Sequence, residues 1–492
     1  VGPIRFCAWG AAATLIGLAS VIPAKATDSG VCCGDLEQRV AELEATAARK
    51  GNRKVSLEIY GQVNRALYGW GDGGHSGVDT NYPHSGLYFV DNNITSTRLG
   101  VKGEGPIAPG WKSGFNIEFE FVDSSSNQVS QTSTFSKTTG QILGGDEGAG
   151  ETGPIRTRQA YWRLDSEQFG RVSMGHQNEA TKDITLINLS GGAVASDARG
   201  LWNRSFIIQG PLTAATRPFL ISANYAGLRG GGLRWGAISS GLDSERADAV
   251  RYDSPSIYGF VLSASYGETV MWDVALRCVE EWGGFRFAAG AGYWVQDDAY
   301  DIYSGAGQSG YSNGANARRN EFKGSASVKH LPTGLYVSFA AGESQPRGYN
   351  PPRATFAYVQ GGIDNRYLSY GNTTLFAEYG NYTDFGVDAY AYSGTNLAGP
   401  VLFPATNGLI QNQNATVPAA QGTAISDTSV TRWGLGAVQK FDSAAMEIYA
   451  IYQHWDADVW FWTGAPGGAP TGTAQAPTDG FDGVALGGRV KF

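Results

Sequence analysis

The chain has 492 residues, with 69 glycines, 12% aromatic residues, only 17% charged residues and a formal net charge of -8. High glycine and aromatic content with few charges points to β structure, and the acidic balance argues against a nucleic-acid partner. Beyond about residue 51 no run of eighteen or more apolar residues occurs, which excludes a bundle of membrane helices there and leaves a barrel open, since barrel strands need only about ten residues of alternating polarity.

Taken in order, Arg5, the mostly apolar stretch Phe6 to Ile22 and the small-x-small ending Pro23-Ala24-Lys25-Ala26 read as an export signal over 1–26, cleaved before Thr27. Cys7 leaves with it. Cys32, Cys33 and Cys278 show no metal-ligand spacing, and they leave either thiols or a bridge open. Within 27–53, Leu36, Val40, Leu43 and Ala47 recur at four, three and four residues, a two-heptad helix too short to hold alone. It needs copies brought together by an oligomer, a wall to dock on, or freedom as a tether.

From Lys54 the period becomes two, and 54–492 is expected to be one β-barrel. Val55, Leu57, Ile59, Gly61 and Val63 alternate with Ser56, Glu58, Tyr60, Gln62 and Asn64. Tight turns are expected at Gly105 to Gly110, Ser166 to Gly170, Ser254 to Gly259, Glu281 to Gly284, Leu331 to Gly334, Ser369 to Asn372 and Asp442 to Ala445. Long connections lie between them at Tyr68 to Asp91, Ser124 to Pro154, Glu179 to Glu245, Asp297 to Arg319, Glu343 to Thr355, Tyr382 to Thr428 and Ala457 to Gly480, with a brief one at Gly267 to Met271. This alternation gives about sixteen antiparallel strands with both ends on the short-turn side. Phe115, Ile117, Phe119 and Phe121 oppose Asn116, Glu118 and Glu120, so one face suits lipid and the other water. Trp70, Trp111, Trp272, Trp282, Trp294, Trp433 and Trp455 fall near strand ends, where aromatic girdles are expected. The last strand, GVALGGRVKF, is apolar on one parity and finishes on Phe492.

STRLGVKGE (Ser96 to Glu104), FGRVSMGHQN (Phe169 to Asn178), ERADAVRYDSPSIYGFVLSASYG (Glu245 to Gly267), the terminal Phe492 and the heptad segment before GNRKVSLEIYGQVNRAL together resemble the trimeric general porins of Gram-negative outer membranes, in their alphaproteobacterial branch. The resemblance implies a water-filled channel for passive diffusion of ions and small hydrophilic solutes. It also implies a homotrimer in outer-membrane lipid and lipopolysaccharide, with a terminal aromatic that the barrel-assembly machinery reads, here Phe492. By motif it makes Arg98, Arg158 and Arg246 wall arginines of a constriction, and Glu179, Asp183 and Asp197 acids of an inserted third loop. Parity supports Arg98 but is ambiguous at Arg158, which shares its face with Trp162. The family's loop-tip motif is missing, Gly191-Gly192 being its nearest echo, and His176 stands where arginine is common.

Gly305 to Gly310 spells G-x-G-x-x-G without a following helix pattern and reads as a loop tip. His75, His84, His176, His330 and His454 pair with no nucleophile, so no catalytic residue, metal or cofactor is expected. The rival readings are an outer-membrane barrel enzyme and a secreted β-rich binding protein.

Overall fold

The computed structural model describes residues 55–74, 83–122, 124–131, 133–135, 142–143, 155–210, 233–296, 319–346, 352–387, 425–463 and 472–492. The signal, the heptad segment with Leu36, Val40, Leu43 and Ala47, Cys32, Cys33, His75 and the Gly305 to Gly310 loop lie outside them.

Sixteen staves form one closed antiparallel sheet, two of them interrupted so that eighteen ladder segments are present. They are β1 Ser56–Gly71, β2 in the pieces Ser85–Asp91 and Arg98–Ala108, β3 Trp111–Phe121, β4 Ile155–Ser166, β5 Gly170–Asn178 and β6 Arg246–Asp253. Then follow β7 Phe260–Gly267, β8 Met271–Trp282, β9 Phe285–Gln296, β10 Arg319–His330, β11 Leu335–Pro346, β12 Ala354–Leu368 and β13 Gly371–Thr383. The circuit ends with β14 Ile425–Phe441, β15 Met446–Thr463 and β16 in the pieces Gly472–Ala476 and Phe481–Lys491. Closure comes from β16 pairing with β1, Gln62 opposite Lys491 through Gly71 opposite Asp482. Phe492 extends the seam by exchanging backbone bonds with Gly61 in both directions. A Cβ on Gly61 would lie 2.6 Å from both Arg98 O and the Phe492 ring, so this crossing tolerates only glycine without movement.

The seven tight turns fall where the alternating pattern puts them, while strand pairing extends into the expected connection Ala457 to Gly480, where β15 runs to Thr463 and Gly472–Ala476 pairs with it. No helix among the described residues is long and apolar enough to cross a membrane, so strands do the crossing. Outward positions are apolar and exposed, as with Leu57, Ile59, Ile117, Phe119, Leu435 and Leu486, while the inward Glu118, Glu120 and Gln62 are enclosed.

Two further features depart from the expected pattern. β1 runs on to Gly71, and Ser85–Asp91 pairs with it again, so the first long connection is shorter than expected. Between the pieces of β2, residues Asn93–Thr95 make a 3-10 turn capped by Asn92. The girdle reading also divides by parity. Trp272, Trp282 and Trp433 are exposed outward, Trp282 at 81%, but Trp70, Trp294 and Trp455 point inward and are at most 6% exposed. Those three are core residues. The inward rings pack on the third loop: Tyr68 stacks on Trp202 at 5.3 Å, and Phe206 meets both Trp70 and Phe481 at 4.9 Å.

Candidate functional site

The third loop connects β5 to β6 over residues 179–245, and its described residues, 179–210 and 233–245, run inside the barrel. Its root is held by the wall. Arg251 donates to Asn178 O and Glu179 O at 3.2 and 3.1 Å, and Arg277 donates to Lys182 O at 2.8 Å. The buried Asp273 carboxylate accepts from Ala180 N at 3.3 Å, Thr181 N at 2.6 Å, Thr181 Oγ1 at 2.7 Å and Ser265 Oγ. The returning strand of the loop ties back at the same place, with Thr181 and Ser244 hydroxyls 2.6 Å apart.

Beyond the root the chain crosses the inner wall rung by rung. Ile187 N and Leu189 N donate to Ser325 and Ser327 on β10, Asn188 donates to Gln360 on β12, and Gly191 N donates to Asp364. Gln453, Arg432 and Tyr382 then donate to Ser196 Oγ, Asp197 O and Ala198 O. On the far side the Asn92 side chain donates to Val194 O and Arg199 donates to Ile94 O, so the break in β2 is where the loop meets the opposite wall. The described part of the loop therefore covers the inner face from β8 round to β16 and β1 and leaves the second piece of β2 and β3 to β6 facing the lumen.

That open wall is charged. Arg98 Nε lies 3.9 Å from Glu118, Arg158 bridges Glu118 at 2.7 Å and Glu120 at 3.1 Å, and Arg156 reaches Glu120 at 3.3 Å. Arg246 stands within electrostatic reach of Arg158, Glu245, Glu120 and Asp183, and its buried Nε has no hydrogen-bond partner among the described residues. On the third loop Asp183, within electrostatic reach of Arg246 and Arg158, has a backbone φ of 63° and a side chain 58% exposed, while Lys182 pairs with Asp243 and Arg199 with Asp197. Desolvation works against ionisation of Asp183, but the charges of Lys182, Arg199, Arg246 and Arg158 outweigh it and hold its carboxyl below the usual carboxylate range. It is a carboxylate at any working pH.

The model of the Gram-negative porin family matches residues 12–475. The chain belongs to the Gram-negative porin family. It forms an outer-membrane channel for small solutes. Solved structures similar to this porin include OmpT of Vibrio cholerae with loop L8 deleted, at 14% identity and a TM-score of 0.47, over 89% of this chain and 100% of that one. An anion-selective porin from Comamonas acidovorans is similar at 13% identity and 0.46, over 89% and 100%. OmpF of Salmonella typhi in complex with daunomycin is similar at 12% identity and 0.43, over 89% and 98%. No curated protein matches the porin.

Arg98, Arg158 and Arg246 thus come together on one wall, with Asp183 of the third loop within electrostatic reach of Arg158 and Arg246. Arg158 reaches the lumen through a bulge: Glu118 is opposite Gln159 and Phe119 opposite Thr157, so the extra residue breaks the parity that Trp162 follows outward. Asp197 is nearly buried against Arg199. Glu179 is 5% exposed and accepts from Trp294 Nε1 at 2.8 Å, which puts it at the loop root and not in open lumen. His176 shares the outward parity of Val172 and Met174, 3.2 Å from Asp248. Arg156, Glu118, Glu120, Arg199 and Asp243 escaped the sequence reading. The first three share a face with Arg158 and Asn116, a signal present in the alternation.

Burial, and after it the neighbouring Asp273 charge, pushes the Glu179 carboxyl up to about 8. Its folded value thus lies above its ordinary one, so between the two the fold holds a proton that the free side chain has lost, and stability falls as pH rises through that window. Wild-type protein is expected to lose on the order of 3 kcal/mol of loop-root stability from pH 5 to pH 8, and Glu179→Gln, which cannot titrate, to show no such slope. Thermal melts of both proteins across that range check this; parallel slopes contradict it.

Proposed function

We propose that solutes pass between the third loop and the β2 to β6 wall, with Arg98, Arg158 and Arg246 as the basic side and Asp183 and Asp197 as the acidic side of the constriction. The observation that carries this is the exposed Asp183 carboxylate on the third loop, within electrostatic reach of Arg246 and Arg158, beside a wall where Arg98, Arg156, Arg158 and Arg246 exceed Glu118 and Glu120. Opposite excess charges across a gap with low-dielectric walls make a transverse field that orients dipolar solutes. Transport is passive and no bond is made or broken. Conductance and reversal potential of the purified protein in a planar bilayer test the reading; a protein that inserts but carries no current sinks it.

Three copies associate in this reading, as in the general porins whose alphaproteobacterial branch the chain resembles. Residues 35–50 form the periplasmic helix that joins them, lipopolysaccharide surrounds the rim, and Phe492 serves the assembly machinery. Exposed Leu57, Ile59, Val63, Leu87 and Phe89 on neighbouring β1 and β2 give lipid or a second copy an apolar face. Native mass measurement is expected to find trimers that weaken when residues 35–50 are deleted. Monomers from the intact chain would refute it.

A further inference from the structure

A lumen-facing arginine in a water-filled barrel is ordinarily solvated, yet Arg432 on β14 is 0% exposed. The covering is the third loop. Arg432 Nη2 donates to Asp197 O at 2.7 Å, and its Nε lies 3.6 Å from the equally enclosed Glu378. The guanidinium sits 4.9 Å from the ring centroids of both Tyr358 and Trp455, and 5.9 Å from that of Tyr382. Around it Glu378 accepts from Tyr358 at 2.8 Å and Gln453 at 2.6 Å, so the carboxylate is satisfied on its other side. Gly200, at φ +63°, comes down on the same platform: a Cβ there would lie 2.3 Å from the Trp455 ring and 3.2 Å from Arg432 Nη1.

We infer that Arg432 is a positioning residue that sets the width of the passage by docking loop residues 196–200 onto β13 to β15. This rests on the third loop being the constriction. A planar cation can stack on aromatic faces and still aim an N–H at a backbone carbonyl, which neither lysine nor an apolar side chain can do in the same space. Desolvating such a pair costs free energy, and what it yields is one fixed loop position. The root contacts at Asp273 hold where the loop begins; Arg432 holds how far it leans from the basic wall.

The test compares wild type, Arg432→Met and Arg432→Met/Glu378→Gln by single-channel conductance, swelling of liposomes in sugars of graded size, and thermal melting. Arg432→Met keeps apolar contact with the rings and loses the bond to Asp197. It is expected to melt lower, conduct about two-fold more and admit larger sugars. The double variant removes the stranded carboxylate, so its melting temperature is expected to recover while the enlarged size limit persists. If the double variant recovers the wild-type melting temperature and the wild-type size limit together, Arg432 merely neutralises Glu378 and the inference falls. Asp273→Ala separates that failure from failure of the constriction itself: loosening the root widens the channel only if the third loop is the barrier.

Discussion

Replacing Arg158 by serine is expected to turn the channel toward cations, raising the cation-to-anion permeability ratio by roughly 25-fold at low salt, about five-fold for each sign of ion. Arg158 touches both lumen carboxylates, Glu118 at 2.7 Å and Glu120 at 3.1 Å. Without it Glu118 keeps Arg98 at 3.9 Å and Glu120 keeps Arg156 at 3.3 Å, so the wall loses a full positive charge while both acids stay. A unit charge acting over 4 Å in water is worth about 1 kcal/mol, which is about a five-fold change in local ion concentration. Because the reach of that charge shrinks from about 10 Å at 0.1 M to about 3 Å at 1 M, the shift should fade in strong salt. Reversal potentials in a salt gradient read it directly. An unchanged ratio at both salt levels would place the passage elsewhere in the barrel.

Asp273→Ala is expected to free the root of the third loop while leaving the staves paired. Ala180 N, Thr181 N and the Thr181 hydroxyl all converge on that one carboxylate. A buried donor left without its acceptor costs ~1–3 kcal/mol, and three together cost on the order of 5 kcal/mol at the root. The Lys182 side chain, now enclosed against Asp243, then becomes available to trypsin. Cleavage after Lys182 in the variant and resistance in wild type, with the heat-modifiable gel shift of the barrel retained in both, is the expected pattern. Resistance of the folded variant would mean that Arg251 and Arg277 suffice to hold the root. Asp273→Asn keeps one acceptor but turns an NH₂ group toward existing donors, so it should fall between the two.

The barrel was legible because lipid outside and water inside write a period of two along every stave, and because chain direction assigns tight turns to one rim. The placement of Phe119 against Glu120 or Leu99 against Arg98 follows from that alone. What failed was reading aromatic residues by their distance along a strand. Trp294 has the parity opposite to Tyr293 and points at the third loop, where it donates to Glu179; counting parity before position identifies it. The bulge at Arg158 is harder, since one inserted residue leaves no mark in the alternation except a conflict with Trp162. The loop's course is harder still. It is fixed by backbone carbonyls and amides meeting side chains hundreds of residues away, as with Arg432 and Asp197. Such pairings have no local pattern to read.

The aromatic residues of the third loop also bear on the order of assembly. β1 and β16 are almost the whole chain apart in sequence, so bringing them together costs loop-closure entropy before any ladder bond offsets it. Phe206 touches Trp70 on β1 and Phe481 on β16, at 4.9 Å each, and Trp70 stacks on Phe481 across the seam at 6.4 Å. A loop already folded inward thus offers both terminal staves one apolar template and fixes their register from within. A third loop folded inward before the seam pairs therefore lowers the entropic cost of closure at Gly61 and Phe492.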